Sequence, residues 1–170
     1  MYSLSDNIKE TDVKSFINAG IQENVFFESV EFSPLKEGND PVIRIFLKDE
    51  FGNELDSVLW PVDPERERQM AQDYPRTHRR DDIVNGYVKG EIITPDQAVD
   101  IASKKFLQRA LHIAVQVVNE QVVRNTLKGA KDYKEFAEKF VSLFTEERMK
   151  NSPMRVKIVL DKKDYPILPY

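Results

Sequence analysis

The stretch PVIRIFLKDEFGNELDSVLWP, residues 41–61, contains two runs in which apolar and polar side chains alternate, separated by a Phe-Gly-Asn turn at 51–53. Alternation with a period of two is typical of a β-strand with one buried face, and a short glycine-containing turn between two such runs indicates a hairpin. We therefore predict an antiparallel hairpin here. Its first strand buries Ile43, Ile45 and Leu47 and turns the residues between them outward.

More strands are predicted on either side of this hairpin. Residues 20–32 are rich in β-branched and aromatic side chains, but their apolar phase shifts partway along, as a bulged or bent strand requires. The polar turn at 34–41 joins this strand to the hairpin. An alternating run at 154–161, followed by a Lys-Lys-Asp turn, predicts a fourth strand, and the segment 165–170 is its expected hairpin partner.

The middle of the chain has a different pattern. Residues 62–94 are polar and turn-rich, which predicts a long loop insertion with one helical turn near 65–72. A Thr-Pro-Asp start signal opens a helix over about 95–119, which is apolar nearly all round and is therefore expected to be buried together with its His112. Reciprocal capping residues and a phenylalanine-rich stripe predict a second helix over about 132–150.

The order of these elements indicates a fold. Three meandering strands, a helical connection and a final hairpin are typical of the five-stranded Greek-key barrel called the OB fold. The predicted fold class is mainly β with helices (α+β), with a helical insertion between strands 3 and 4. The connections between the first strands are too short for the helices that a doubly wound sheet needs, and ferredoxin-like folds interleave their helices differently. We assign residues 1–19 to an N-terminal lead-in with a short helix at 11–18, and residues 20–170 to the OB-fold domain.

The composition excludes most enzyme chemistry. The 170 residues include no Cys and only two His, which removes thiol nucleophiles, disulfides, iron–sulfur clusters and the usual zinc sites. No nucleophile elbow, Walker loop or dinucleotide-binding glycine motif occurs. We expect no catalysis, no cofactor and no bound metal. Because no apolar run is long enough to span a bilayer and no signal-peptide pattern occurs, we expect a cytoplasmic location without membrane contact.

The net charge of −4 hides an asymmetry along the chain. Up to Asp56 there are five Lys and Arg residues against twelve Asp and Glu, and from Ser57 onward there are twenty against seventeen. Basic groups are therefore concentrated late in the chain. Such a distribution suits a protein that binds a polyanion in one groove while the rest of its surface repels it.

Both ends of the chain carry loose motifs that recur in one family. They are the run Gly-Ile-Gln-Glu-Asn-Val at 20–25, a Val-Glu-Phe at 30–32, the strand ending in Trp60 before Pro64, and a Lys-rich strand followed by the Tyr-Pro-Ile-Leu-Pro-Tyr segment at 165–170. In these parts, about half of the chain, the sequence resembles phage-encoded single-stranded DNA-binding proteins. The resemblance implies an OB fold and the coating of exposed strands during phage DNA replication or recombination.

The same resemblance carries further expectations. It implies replication or recombination proteins as additional partners and the cytoplasm of a host cell as the location. Many proteins of this kind end in an acidic tail that recruits partner proteins, and this sequence differs from that pattern at its aromatic and proline-rich end.

Strand parity predicts which side chains face a binding groove. Outward positions of strand 2 hold Arg44, Phe46 and Lys48, and those of the last full strand hold Arg155 and Lys157. Single-strand binders combine cations for the phosphates with aromatic faces on which bases stack, at about 1–3 kcal/mol per base. The remaining candidates, from the end of strand 3 and from the loop insertion, are Trp60, Arg66, Arg68, Tyr74, Arg76, Arg79, Arg80, Tyr87 and Lys89.

Plainer interpretations exist for these groups. The strand cations could solubilise an exposed sheet face, local ion pairs could neutralise the loop arginines, and Trp60 could pack within the fold. Two other functions stay open: a protein-interaction or assembly module that docks through the acidic first strands and the helices, and a metal-dependent nuclease with carboxylates at strand ends. Our leading hypothesis is non-catalytic, largely sequence-independent binding of single-stranded DNA.

Overall fold

The computed structural model describes residues 16–82, 86–163 and 166–168. The chain divides into two units. The barrel unit consists of the residues up to Leu59 and those from Ala114 onward, and the cleft unit consists of Trp60–Ile113. The insertion after strand 3 is therefore a unit of its own, larger than the predicted loop 62–94.

The strands of the barrel unit form one antiparallel sheet that nearly closes on itself. Within the described residues the five strands are β1 Gly20–Pro34, β2 Pro41–Lys48, β3 Glu54–Leu59, β4 Met154–Leu160 and β5 Pro166–Ile167. Neighbouring strands follow the order β3-β2-β1-β4-β5, and β3 also contacts β5. The fold is α+β with an OB-fold-like barrel, so the predicted fold class is confirmed.

β1 takes part in both halves of the barrel because its pairing changes along its length. Its first residues, as far as Val25, pair with β4, and from Phe26 onward it pairs with β2. The register shifts between Gln22 and Val25 and once more further along, and Asn24 has a φ of 54°. Asparagine adopts this left-handed conformation more readily than most residues. These irregularities account for the shifted apolar phase in the sequence.

All of the described helices lie between β3 and β4 along the chain. They are α1 Pro64–Asp73, α2 Pro95–Ala114, α3 Glu120–Leu127, α4 Tyr133–Ser142 and α5 Glu146–Lys150. The predicted loop 62–94 thus contains α1, the predicted helix 95–119 ends at Ala114, and the predicted helix 132–150 is interrupted after Ser142. Among the described residues, every helix is too short or too polar to cross a bilayer.

Helix caps explain these differences. Asp63 accepts hydrogen bonds from the backbone N–H groups of Glu65 and Arg66, each at 3.1 Å, and so starts α1 inside the predicted loop. Asn119 and Thr145 accept backbone hydrogen bonds in the same way at the starts of α3 and α5. Asn119 thus starts α3, a helix that the sequence pattern did not predict, and Thr145 starts α5 as a helix separate from α4, where one continuous helix over 132–150 was predicted.

The predicted short helix at 11–18 lies largely outside the described residues. From Phe16 the chain is extended rather than helical: Phe16 forms a bridge with Glu54, and the Ile17 N–H donates to the Glu54 carbonyl at 3.1 Å. This end of the lead-in is therefore attached to β3.

The core of the barrel unit contains the predicted face of β2 and a cluster of rings. Within this cluster α4 packs on β1 and β2. The ring centroid of Phe140 lies 6.1 Å from that of Phe136 and 5.1 Å from that of Phe144, and Phe144 meets Phe27 of β1 edge-on at 5.0 Å. Ring pairs of this geometry add to the stability gained from burial alone.

Phe140→Ala should lower the free energy of unfolding by about 3–5 kcal/mol, because Phe140 is 0% exposed and its removal opens a cavity. Phe51, in the turn between β2 and β3, is 81% exposed, so Phe51→Ala is the matched control and should change stability by less than about 0.5 kcal/mol. Urea denaturation followed by circular dichroism measures both variants. Equal effects would contradict the assigned core.

Candidate functional site

The predicted candidates of β2 lie on the outer face of the barrel, as strand parity predicted. Arg44, Phe46 and Lys48 are each partly exposed, and the Arg44 guanidinium carbon lies 4.8 Å from the centroid of the Phe46 ring. Carboxylates share this face, since Glu31 on β1 is opposite Arg44 and Asp56 on β3 is opposite Phe46. Positive and negative groups therefore alternate across this part of the sheet.

Ion pairs hold predicted cations on both sides of β1. Lys48 pairs with Glu28 at 3.4 Å, and Arg155 on β4 pairs with Glu23 at 3.0 Å. Lys157, the other candidate of β4, is exposed. Because nearby carboxylates offset the charge of these cations, the outer face of the barrel attracts a polyanion only weakly.

The cleft unit contains a cleft of about 970 Å³. Its described lining includes four cations and one carboxylate: Arg76, Arg79, Lys105, Arg109 and Glu67. Trp60 also lines the cleft, and its side chain is 53% exposed. Positive charge therefore dominates this surface, next to an aromatic ring that a ligand can reach.

α2 forms one wall of the cleft. Its lining residues, called here the cleft stripe, recur at helical spacing along one face: Ala98, Ile101, Ala102, Lys105, Phe106 and Arg109. The stripe is apolar toward the start of α2 and carries its two cations further along, four residues apart. Residues at this spacing are neighbours on a helix surface, so both cations face the cleft.

The segment before α2 supplies the other two cations. Arg76 and Arg79 come from the chain that follows α1, and both line the cleft. Arg76, Arg79 and Lys105 have no ion-pair partner among the described residues. Their charges are therefore available to an anionic ligand.

The other basic and aromatic candidates of the insertion lie elsewhere on the cleft unit. Arg68 is held by ion pairs with Glu65 at 2.7 Å and Asp96 at 3.1 Å. The following candidates are exposed and do not line the cleft: Arg66, Tyr74, Arg80 and Lys89. Of the predicted site residues, the cleft thus brings together Trp60, Arg76 and Arg79.

Tyr87 is partly buried, and both its ring and its hydroxyl already have partners within the cleft unit. Its ring stacks on that of His78, with 4.4 Å between centroids, and its hydroxyl donates to Asp100 at 2.7 Å. This hydrogen bond, together with desolvation and the negative charge of Asp100, raises the pKa of Tyr87 to about 12. Lys104 donates to the same carboxylate at 2.8 Å, and the bonds from Lys104 and Tyr87 lower the pKa of Asp100.

Sequence reasoning missed Lys105 and Arg109, which belong to a helix expected to be buried. α2 is not buried all round, contrary to that prediction: Leu107 is 52% exposed, and His112 is exposed rather than buried. The usable signal was the spacing of four residues between the two cations, which places them on one helix face.

Neither a metal cluster nor a known relative identifies the site. In the described part of the chain, no three His, Asp or Glu side chains are grouped so that they could hold a metal ion. Comparisons with family models, with curated proteins and with solved structures find no match to this chain. The function of the cleft is therefore inferred from its own chemistry.

In an alkaline titration followed by near-ultraviolet absorbance, Tyr87 should ionise at about pH 12. Asp100→Asn should lower this pKa part of the way toward the ordinary tyrosine value of about 10, because the hydrogen bond remains but the carboxylate charge no longer opposes formation of the phenolate. Tyr87→Phe removes the titration step of Tyr87 and so distinguishes it from that of Tyr133, whose pKa is also raised by burial. An identical titration in Asp100→Asn would argue against the contact.

Proposed function

We propose that the protein binds single-stranded DNA, largely independently of sequence and without catalysis. The observation that supports this proposal is the cleft of the cleft unit, where Arg76, Arg79, Lys105 and Arg109 lie with a half-exposed Trp60. Guanidinium and ammonium groups bind phosphates, and a tryptophan ring stacks on any base. Neither contact distinguishes one base from another, so little sequence preference follows.

Preference for single strands follows from Trp60. The bases of a single strand can leave their neighbours and lie against an aromatic ring, whereas a duplex keeps its base faces covered. The cleft volume of about 970 Å³ is at the upper end of the range of about 300–1,000 Å³ for ligand pockets. That volume is large enough for a short run of nucleotides.

The biological role proposed with this activity is the protection of exposed strands during replication or recombination of phage DNA, as the sequence resemblance implies. The protein would act stoichiometrically in the host cytoplasm and meet replication or recombination proteins on the same DNA. Coating of this kind requires many copies and no chemical step, which suits a site built from cations and an exposed tryptophan ring.

A protein-interaction module is the second candidate, and one feature of the barrel unit favours it. Phe51 is 81% exposed and follows Asp49 and Glu50 in the turn between β2 and β3. Carboxylates repel phosphates, so an exposed ring beside them suits a protein partner better than a nucleic acid. A protein that serves only this second function binds no oligonucleotide.

Removing one cation from α2 and one from the segment before it tests the role of the cleft. Arg76→Ala combined with Lys105→Ala should weaken binding of a thymidine oligonucleotide of about 30 nucleotides by roughly tenfold or more. The slope of log affinity against log salt should become shallower by about 1.4, since each phosphate contact contributes about 0.7 for single strands. Fluorescence anisotropy of the labelled oligonucleotide at several salt concentrations measures both quantities.

The matched control for this pair is Lys36→Ala combined with Lys134→Ala. It removes the same charge from exposed positions of the barrel unit and should leave the affinity within about twofold. Equal losses in the two double variants would attribute binding to overall charge rather than to the cleft. No binding by the unaltered protein at low salt would contradict the proposed function and leave the interaction module as the better explanation.

Trp60→Ala should weaken oligonucleotide binding by about 1–3 kcal/mol, the contribution of one base stack, and Trp60→Phe should lose less because it keeps an aromatic face. Trp60 is the single tryptophan, so quenching of the protein's fluorescence by an unlabelled oligonucleotide reports on this stack directly. A duplex of the same sequence should quench little. Tight binding of the single strand without quenching would place the bases away from Trp60.

A further inference from the structure

Two of the three arginines of the cleft, Arg76 and Arg79, extend from a segment that folds back on itself. At its two ends the segment 76–93 runs antiparallel: the Ile93 N–H donates to the Arg76 carbonyl at 2.8 Å, and the His78 N–H donates to the Glu91 carbonyl at 2.9 Å. These bonds join residues 76–78 to residues 91–93. They do not by themselves fix where the segment lies on α2.

His78 attaches the segment to the start of α2. Thr94 and Gln97 form a capping box, in which the Gln97 N–H donates to Thr94 Oγ1 at 3.2 Å and Gln97 Oε1 accepts from the Thr94 N–H at 2.9 Å. His78 Nε2 lies 3.2 Å from the same Gln97 oxygen, so it donates a hydrogen bond to it. His78 is 6% exposed, which shields this bond from competing water.

Tyr87 provides a second attachment further along α2. Its ring stacks on His78, and its hydroxyl donates to Asp100, which also accepts from Lys104. Gln97, Asp100 and Lys104 are spaced three and four residues apart, so they share one face of α2. The cleft stripe begins one residue after Gln97, so the attachment and the cleft use neighbouring faces of the same helix.

We infer that His78 and Tyr87 are positioning residues of the cleft: they hold the segment 76–93 on α2, so that Arg76 and Arg79 line the same cleft as the cations of the cleft stripe. Tyr87 acts through the segment and does not itself line the cleft. Like charges repel, so contacts that hold the segment on α2 help to keep these cations on one surface. This inference rests on the proposed function, because the role assigned to both residues is in binding single-stranded DNA.

Tyr87→Phe tests this role because it keeps the ring that stacks on His78 and removes only the hydroxyl that donates to Asp100. The affinity for the thymidine oligonucleotide should fall about fivefold, the size expected for one lost hydrogen bond. The salt slope should become shallower by up to about 1.4, as the two arginine–phosphate contacts loosen. A general loss of stability lowers the folded fraction without changing the slope, so the urea midpoint is measured alongside.

Two further variants act as comparisons. Asp100→Asn keeps an oxygen that accepts from the Tyr87 hydroxyl and should retain most of the affinity. Tyr74→Phe removes a hydroxyl from a residue that is 69% exposed and should change neither affinity nor slope. Unaltered affinity and slope in Tyr87→Phe would overturn the positioning role and leave the proposed function intact. Absence of oligonucleotide binding by the unaltered protein would overturn both.

Discussion

The attachment of residues 76–82 and 86–93 to α2 is the interaction on which the cleft depends, because it brings Arg76 and Arg79 to the surface that Lys105 and Arg109 also line. Among the described lining residues Glu67 is the single carboxylate beside them. Like charges gathered in one place destabilise a folded protein until an anion neutralises them. Backbone bonds within the segment 76–93, the capping box of α2 and the contact between Tyr87 and Asp100 oppose this repulsion. Under the proposed function a phosphate chain offsets these charges, and a site held in this way is already arranged for that ligand.

The barrel unit contains the same residue types in different electrostatic surroundings. Strand alternation turns Arg44 and Lys48 outward, as it does for charged residues on any sheet with a solvated face. Strand pairing then brings carboxylates beside them, as it brings Glu23 beside Arg155. The sequence pattern alone does not distinguish these cations from those of the cleft. The two groups differ in the carboxylates beside the barrel cations. The register between strands places those carboxylates there.

This difference explains how much could be predicted from the sequence. Strand alternation is local, so the barrel and the outward position of Arg44 were predictable. Helix ends were not, because side-chain caps decide them: Asn119 starts α3 where no helix was predicted, and Thr145 starts α5 within what was predicted as a single helix. The basic and aromatic character of the insertion was visible, but convergence of its cations depends on how the segment 76–93 folds onto α2. Likewise, the environment of Tyr87 depends on Asp100, thirteen residues away.

Photo-cross-linking of the full chain to a single strand that contains bromodeoxyuridine tests the central claim most directly, with the attachment sites located by mass spectrometry. An aromatic side chain that stacks on a base lies in direct contact with it, within reach of the cross-link. If the cleft binds the strand, the cross-linked peptide contains Trp60, and Trp60→Ala abolishes that cross-link. Cross-links confined to β2 or β4, with none in residues 60–113, would contradict the assignment of DNA binding to the cleft.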